Sequence, residues 1–227
     1  FINEEVIEIE DKTSYKIIKT NKKTYTCKGI ILALGRKPRS FDNKNVSLLE
    51  GKGVSYCSLC DGPLFKNQDV SIIGGGNSAL EESLYLADIC KNVTIINRRD
   101  VLRGDKMLVD KVLKKDNINI LYNSEVVEFN KKDDFLESLT IKTNDKLNKL
   151  EVKACFIFIG YVPATDFLNN LDILDEKGYI KTDKNLKTDI PFIYACGDTI
   201  NKEVYQIVTA TGEGAVSAIS FINDYNS

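Results

Sequence analysis

Histidine is missing from this sequence altogether. Proton transfer near neutral pH therefore falls to Asp, Glu, Cys, Lys or Tyr, because the side chain that titrates there unaided is not available. Methionine is nearly absent too: Met107 is the only one, and the chain begins at Phe1. The expectation is that further sequence lies upstream, the chain being a fragment, a processed product or one whose first residues lie outside it. Long apolar runs are lacking. The longest, residues 29–34 and 155–159, match buried strands and fall far short of a bilayer span. The first residues do not read as a basic-apolar leader. Charge of one sign is lacking as well: the net charge is −2 over 227 residues, with no long Lys/Arg block. Nucleic acid and anionic membrane surfaces are therefore poor candidates as partners.

What is there is ordinary globular composition, 43% hydrophobic and 28% charged, enough for one large or two small domains. Residues 6–9, 15–18 and 24–26 alternate apolar and polar, with a turn at 21–23. This predicts an antiparallel meander leading into a buried strand, 30–34, that stops at Gly35. Pro38 and the polar run 40–45 read as a hinge. A second unit starts near residue 39, with strands at 70–73, 93–96 and 118–121. Helices at 80–90 and about 105–115 alternate with them, an order that predicts a parallel sheet. Residues 125–153 alternate again, 155–159 is a closing strand, and Gly160-Tyr-Val-Pro163 reads as a break. In the last segment a buried strand runs into Gly197-Asp198. A helix over 206–223 follows, with Ala210, Gly212, Gly214, Ala215 and Ala218 allowing close approach to a sheet or a flat cofactor.

Three groups of residues carry chemistry. The strand 70–73 runs into Gly74-Gly75-Gly76-Asn77-Ser78-Ala79, a G-x-G-x-x-A turn opening a helix. Glycines there let backbone approach a pyrophosphate, which rests on the helix N-terminus; the alternative is a turn with no ligand. After the next strand an NAD site would place an acid for the ribose hydroxyl. This sequence has Asn97-Arg98-Arg99, with Arg103 close behind. Guanidiniums suit the extra 2′-phosphate of NADP, so the reading is NADPH over NADH, against the alternative of a solvated basic turn.

The third group is Cys57-Ser58-Leu59-Cys60-Asp61-Gly62. Zinc wants four ligands, and there is neither a second Cys pair nor a histidine. A static disulfide would suit an oxidising compartment, for which there is no signal. A redox dithiol fits best: one sulfur exchanges with a substrate disulfide and the other resolves the mixed disulfide. Asp61 is the natural proton donor and acceptor beside them. The other cysteines, Cys27, Cys90, Cys155 and Cys196, are expected to be buried small hydrophobes. Hydride from NADPH is a two-electron package, so a flavin is needed between it and a dithiol. Gly197-Asp198 is the one flavin-like feature, and alone it would be a strand-ending turn.

Together these residues resemble the low-molecular-weight, bacterial-type thioredoxin reductases, a group of flavoprotein disulfide reductases. C-S-L-C-D-G at 57–62 is similar to the family's C-A-T-C-D-G, and G-G-G-N-S-A-L-E-E at 74–82 to its nucleotide fingerprint. N-R-R-D-V-L-R at 97–103 is similar to H-R-R-x-x-x-R, and G-Y-V-P-A-T at 160–165 to G-x-x-P-x-T. Y-A-C-G-D at 194–198 and Q-I-V-T-A-T-G-E-G at 206–214 resemble its C-terminal flavin segment.

The resemblance implies an oxidoreductase that reduces thioredoxin with NADPH through FAD, working as a cytoplasmic homodimer. It implies an α/β fold: a Rossmann-like NADP-binding domain of three-layer sheet architecture over 39–163, inserted in a partial FAD-binding domain, residues 1–38 and 164–227. Cys60 would face the flavin, Cys57 would attack thioredoxin, and Asp61 would be the acid. Gly74, Gly75, Gly76, Asn77 and Ser78 would hold the pyrophosphate, with Glu81 near the nicotinamide and Arg98, Arg99 and Arg103 on the 2′-phosphate. Gly197 and Asp198 would bind the ribityl or pyrophosphate region of the flavin, and Gln206 and Ile207 its ring.

The sequence departs from the pattern in three ways. Only one dinucleotide fingerprint is present, so this chain is expected to bind FAD poorly and to be inactive by itself. Asn97 replaces the usual histidine, and Tyr205 stands where the family often has arginine. Other readings keep the fold and change the partner, to a peroxiredoxin system or to ferredoxin, or make the chain a non-catalytic NADP-binding module.

Overall fold

The computed structural model describes residues 1–43 and 45–226. The chain divides into two compact units, Phe1–Lys37 with Tyr161–Ser227, and Pro38–Gly160.

The continuous unit is built on a five-stranded parallel sheet. Its strand order is Val54–Ser55, Ala154–Ile157, Asp69–Ile73, Asn92–Ile96, Ile118–Leu121. Strands covered on both faces read as unbroken apolar runs, and alternation then decides which side chain goes to which layer. Ile73, Ile96, Cys155 and Ile157 point into one core. They meet Val126, Phe129, Leu139 and Ile141 from an antiparallel sheet of Ser124–Lys132, Phe135–Thr143 and Lys146–Glu151. Val70, Ile72, Val93, Ala154 and Phe156 point the other way, onto Ala79, Leu86 and Ala87 of the helix Asn77–Ala87. Leu80 and Ile95 pack with Val112 of the helix Lys106–Val112. The unit is thus a three-layer α/β fold: sheet, parallel sheet, helices. Lys44, inside the run read as a hinge, lies outside the described residues.

In the other unit the strands Val6–Asp11, Lys16–Thr20 and Thr24–Cys27 pair in sequence as an antiparallel meander. Ile30–Leu32 pairs in parallel with Ile193–Ala195. Ile9, Leu32, Ile173, Ile180 and Ile193 form the core. The helix Ile207–Tyr225 lies over this pair of strands: the buried Tyr194 hydroxyl donates to Asp224 at 2.6 Å, and Tyr194 packs edge-on against Phe221.

Two local readings are corrected. Gly160-Tyr-Val-Pro163 is not simply a break, because Tyr161–Pro163 forms a strand paired with Arg36–Pro38. Each of these strands is three residues long and ends in proline, so the ribbon terminates where an N–H is missing. Cys27 is only partly buried, because it ends an edge strand of the meander; Cys90, Cys155 and Cys196 are buried.

Phe129 is fully buried between the two sheets of the continuous unit. Phe129→Ala is expected to destabilise that unit by about 3–5 kcal/mol. A urea titration followed by circular dichroism measures it.

Candidate functional site

Parallel strands all end on the same edge, and three of them deliver the three motifs. Val54–Ser55 runs into the cysteine turn, Asp69–Ile73 into the glycine turn, and Asn92–Ile96 into the arginine turn. Ligands of open α/β sheets bind outside this carboxyl edge.

The glycine turn is dictated by crowding. Gly74 has φ +142°, and a Cβ there would sit 2.3 Å from the Phe158 carbonyl oxygen. A Cβ on Gly75 would lie 2.5 Å from Asn97 Oδ1. Gly76 faces open space and is the N-cap of Asn77–Ala87 without offering a side-chain bond. The first-turn N–H groups therefore have no side-chain partner, as an anion site requires. The Asn77 side chain is taken by Asp105: its Nδ2 donates to Asp105 Oδ2 at 2.9 Å, and its Oδ1 accepts the Asp105 N–H at 2.7 Å. Ser78 and Glu81 are exposed on the same helix.

Asn97, which replaces the family's histidine, is buried beneath the arginine turn. Its Nδ2 donates to the carbonyls of Arg99 at 3.1 Å and Val101 at 2.8 Å. The Arg103 N–H donates to the Gly75 carbonyl at 2.7 Å, which ties the arginine turn to the glycine turn. Arg98, Arg99 and Arg103 are exposed, and none of their guanidiniums has an acidic partner among the described residues. Unspent fork-shaped donors beside a helix N-terminus fit a phosphorylated ribose.

Cys57 and Cys60 are joined by a disulfide, with Cα atoms 5.4 Å apart. Cys57 caps the short helix Ser58–Asp61, and the Cys60 N–H donates to Cys57 Sγ at 3.2 Å. Such a donor favours a thiolate on Cys57 once the bond opens. Cys60 is exposed and Cys57 half-buried. Asp61 is half-buried with no side-chain partner among the described residues. The turn is pressed onto the helix Asn77–Ala87, since a Cβ on Gly62 would meet Leu86 Cδ2 at 2.9 Å.

Gly197, Asp198, Gln206 and Ile207 belong to the other unit, where they line a cleft of about 600 Å³ together with Gly35, Arg36 and Tyr205. Gly35 and Gly214 on its wall have nothing within 4 Å of an added Cβ. That leaves room for a flat ring system. Asp198 is paired with Arg36 at 3.3 Å and with Lys202 at 3.8 Å. The Gly197 N–H donates to Glu213 at 2.8 Å.

Three residues escaped the sequence reading. The Arg36 guanidinium stands 3.6 Å from the Tyr205 ring centroid, so a cation reaches this cleft from the strand Arg36–Pro38 and not from position 205. Its signal was only its place directly after Gly35. Ser58 and Glu82 are the others. Burial raises the Glu82 carboxyl above its ordinary range; Ser58 pulls it down, and neighbouring Glu81 adds to the rise. Glu82 follows Glu81 in sequence, and only the helical face shared with Leu86 and Ile89 could have marked it.

Among the described residues no cluster of His, Cys, Asp or Glu is placed to hold a metal. No described helix is long and apolar enough to cross a membrane.

Burial pushes the Cys90 thiol up to about 11 and Cys155 up to about 12. After reduction, iodoacetamide at about pH 8 is expected to label Cys57 and Cys60 and to spare Cys90 and Cys155, which peptide mass mapping reads out. Asn97→Ala strips the support from Arg99 and Val101 and is expected to weaken pyridine-nucleotide binding severalfold, measured by calorimetry.

A family model described as pyridine nucleotide-disulphide oxidoreductase matches residues 1–214. The chain is 40% identical over 223 residues to the thioredoxin reductase of Borreliella burgdorferi, covering 97% of this chain and 68% of that protein. It is 41% identical over 221 residues to that of Ureaplasma parvum, covering 96% and 71%. Among solved structures it superposes on Lactococcus lactis thioredoxin reductase with a TM-score of 0.88 at 37% identity, covering 96% of this chain and 73% of that one. T. acidophilum thioredoxin reductase gives a TM-score of 0.86 at 34% identity, covering 99% and 74%. Motifs, fold and relatives agree: the chain belongs to the pyridine nucleotide-disulphide oxidoreductase family, which works with a flavin and a pyridine nucleotide, and within it to the thioredoxin reductases.

Proposed function

We propose that the protein reduces the disulfide of thioredoxin with electrons from NADPH, by way of FAD and the Cys57–Cys60 pair. The observation that carries this reading is the shared carboxyl edge of the parallel sheet, where the disulfide-linked cysteine pair and an arginine-flanked glycine turn both emerge.

Each group then has a task. Backbone N–H groups at Gly74, Gly75, Gly76, Asn77 and Ser78 hold the pyrophosphate. Arg98, Arg99 and Arg103 would hold the 2′-phosphate, and Glu81 would lie toward the nicotinamide. Gly197, Asp198, Gln206 and Ile207 contact FAD, which when bound converts a hydride into electrons for a disulfide. Cys60 would be the sulfur that takes the electrons from that cofactor. Cys57 attacks the thioredoxin disulfide, and Asp61 moves the proton between solvent and the sulfurs. The family's usual arrangement favours a homodimer in the cytoplasm.

The test is NADPH oxidation coupled to a thioredoxin and a disulfide dye. Turnover with NADPH supports the reading. Turnover with reduced ferredoxin alone, or NADPH binding without turnover of the natural protein, overturns it. Arg98→Ala and Arg99→Ala are each expected to raise KM for NADPH by about tenfold or more, from loss of a charge-assisted bond, and to leave KM for thioredoxin unchanged.

A further inference from the structure

Behind the cysteine turn, on the side away from water, two polar groups face one another with nothing else to bond. Ser58 Oγ and Glu82 Oε2 are both sealed from solvent; Ser58 is near enough to lower the Glu82 carboxyl, yet neither atom completes a well-formed hydrogen bond. Ser58 directly follows Cys57, and Glu82 lies on the helix that the turn packs against. Buried polar atoms are nearly always paired, so two facing orphans beside a reactive bond are out of the ordinary. The titratable groups about Glu82 are Glu81 on its own helix, Tyr85 one turn on, and Asp61 and the cysteines on the turn. No lysine or arginine contributes to its environment. Any negative charge gained by the cysteine pair therefore meets a carboxyl group with no cation between them.

We propose that Glu82, acting through Ser58, is a positioning residue that sets the proton balance of the Cys57–Cys60 couple, taking up a proton as the disulfide opens. This rests on the reading of the pair as the redox centre. Opening takes two electrons from the pyridine-nucleotide donor and breaks the S–S bond. One proton goes to the Cys60 sulfur, giving a thiol. The second goes to Glu82, and Cys57 is left as the thiolate that its Cys60 N–H contact favours. In the return step the Cys57 thiolate attacks the thioredoxin disulfide and the Cys60 sulfur resolves the mixed disulfide. Thioredoxin leaves as a dithiol, having received the protons from Cys60 and Glu82. With Glu82 ionised, a thiolate beside it is disfavoured by like charge; with Glu82 protonated, it is not.

The full chain is equilibrated in dithiothreitol redox buffers from about pH 5.5 to 8.5, and the reduced fraction is read by alkylation and mass. Oxidation of dithiothreitol releases two protons, so the exchange constant changes, about tenfold per pH unit for each proton, only where uptake by the protein differs from two. Glu82→Gln is expected to shift the equilibrium toward the dithiol about threefold or more at pH 8, with the difference vanishing at the acid end. The Cys57 alkylation profile moves to lower pH in step. Glu82→Asp keeps the wild-type slope, and Ser58→Ala, which leaves the helix intact, reproduces part of the Glu82→Gln change. Curves for Glu82→Gln and Ser58→Ala that track the wild type, or that shift equally at every pH, overturn the proposal. A pair that never equilibrates overturns the redox reading with it; a pair that equilibrates with an unaltered pH profile overturns the role of Glu82 alone.

Discussion

Parallel strand pairing is the constraint on which everything else in the continuous unit depends. Because Val54–Ser55, Asp69–Ile73 and Asn92–Ile96 run the same way, whatever follows each of them emerges on one edge. That single fact places a cysteine pair, a glycine turn and three arginines within one surface, although they are separated along the chain. Parallel pairing in turn needs both faces covered. The antiparallel sheet supplies one cover through Phe129 and Leu139, and the helix Asn77–Ala87 supplies the other through Ala79 and Leu86. The same helix presents its N-terminus to the nucleotide turn and its flank to the cysteine turn, so a core element also aligns the chemistry.

Charge is sorted along this edge. Beyond Asn92–Ile96 the guanidiniums are exposed and unspent, held at their backbones by Asn97 and by the Gly75 carbonyl. Beneath the cysteine turn lies a half-buried carboxyl, Glu82, whose environment receives no lysine or arginine. On the proposed reading, an anionic nucleotide is drawn to one end of the edge, while accumulation of charge on the sulfurs is tied to protons at the other. In the second unit the pattern differs: Arg36, Lys202, Asp198 and Glu213 neutralise one another around a cleft, and Arg36 rests on Tyr205.

Much of this was legible in the residues themselves. The strands and the glycine turn follow from unbroken apolar runs ending in glycine, since periodicity and the need for space are local properties. The cysteine pair was legible by counting the ligands that zinc would need. What was not legible depends on distant partners. The ribbon of Arg36–Pro38 and Tyr161–Pro163 joins segments more than a hundred residues apart in sequence. Asn97 looked like a loss of histidine, and its two carbonyl contacts show it to be a buried strut. Cys27 sits in an apolar context like the other three free cysteines, and only the strand order reveals that its strand is an edge. Glu82 is the less exposed of two adjacent glutamates, a distinction set by which helical face meets the cysteine turn.

The central claim is that an electron pair from NADPH comes to rest on Cys57 and Cys60. The most direct measurement adds one equivalent of NADPH to the oxidised natural protein with its FAD bound, without oxygen, and maps the alkylated thiols by mass. The expected result is stoichiometric NADP and one newly opened disulfide per chain, labelled at Cys57 and Cys60. Consumption of NADPH with that disulfide intact would contradict the account.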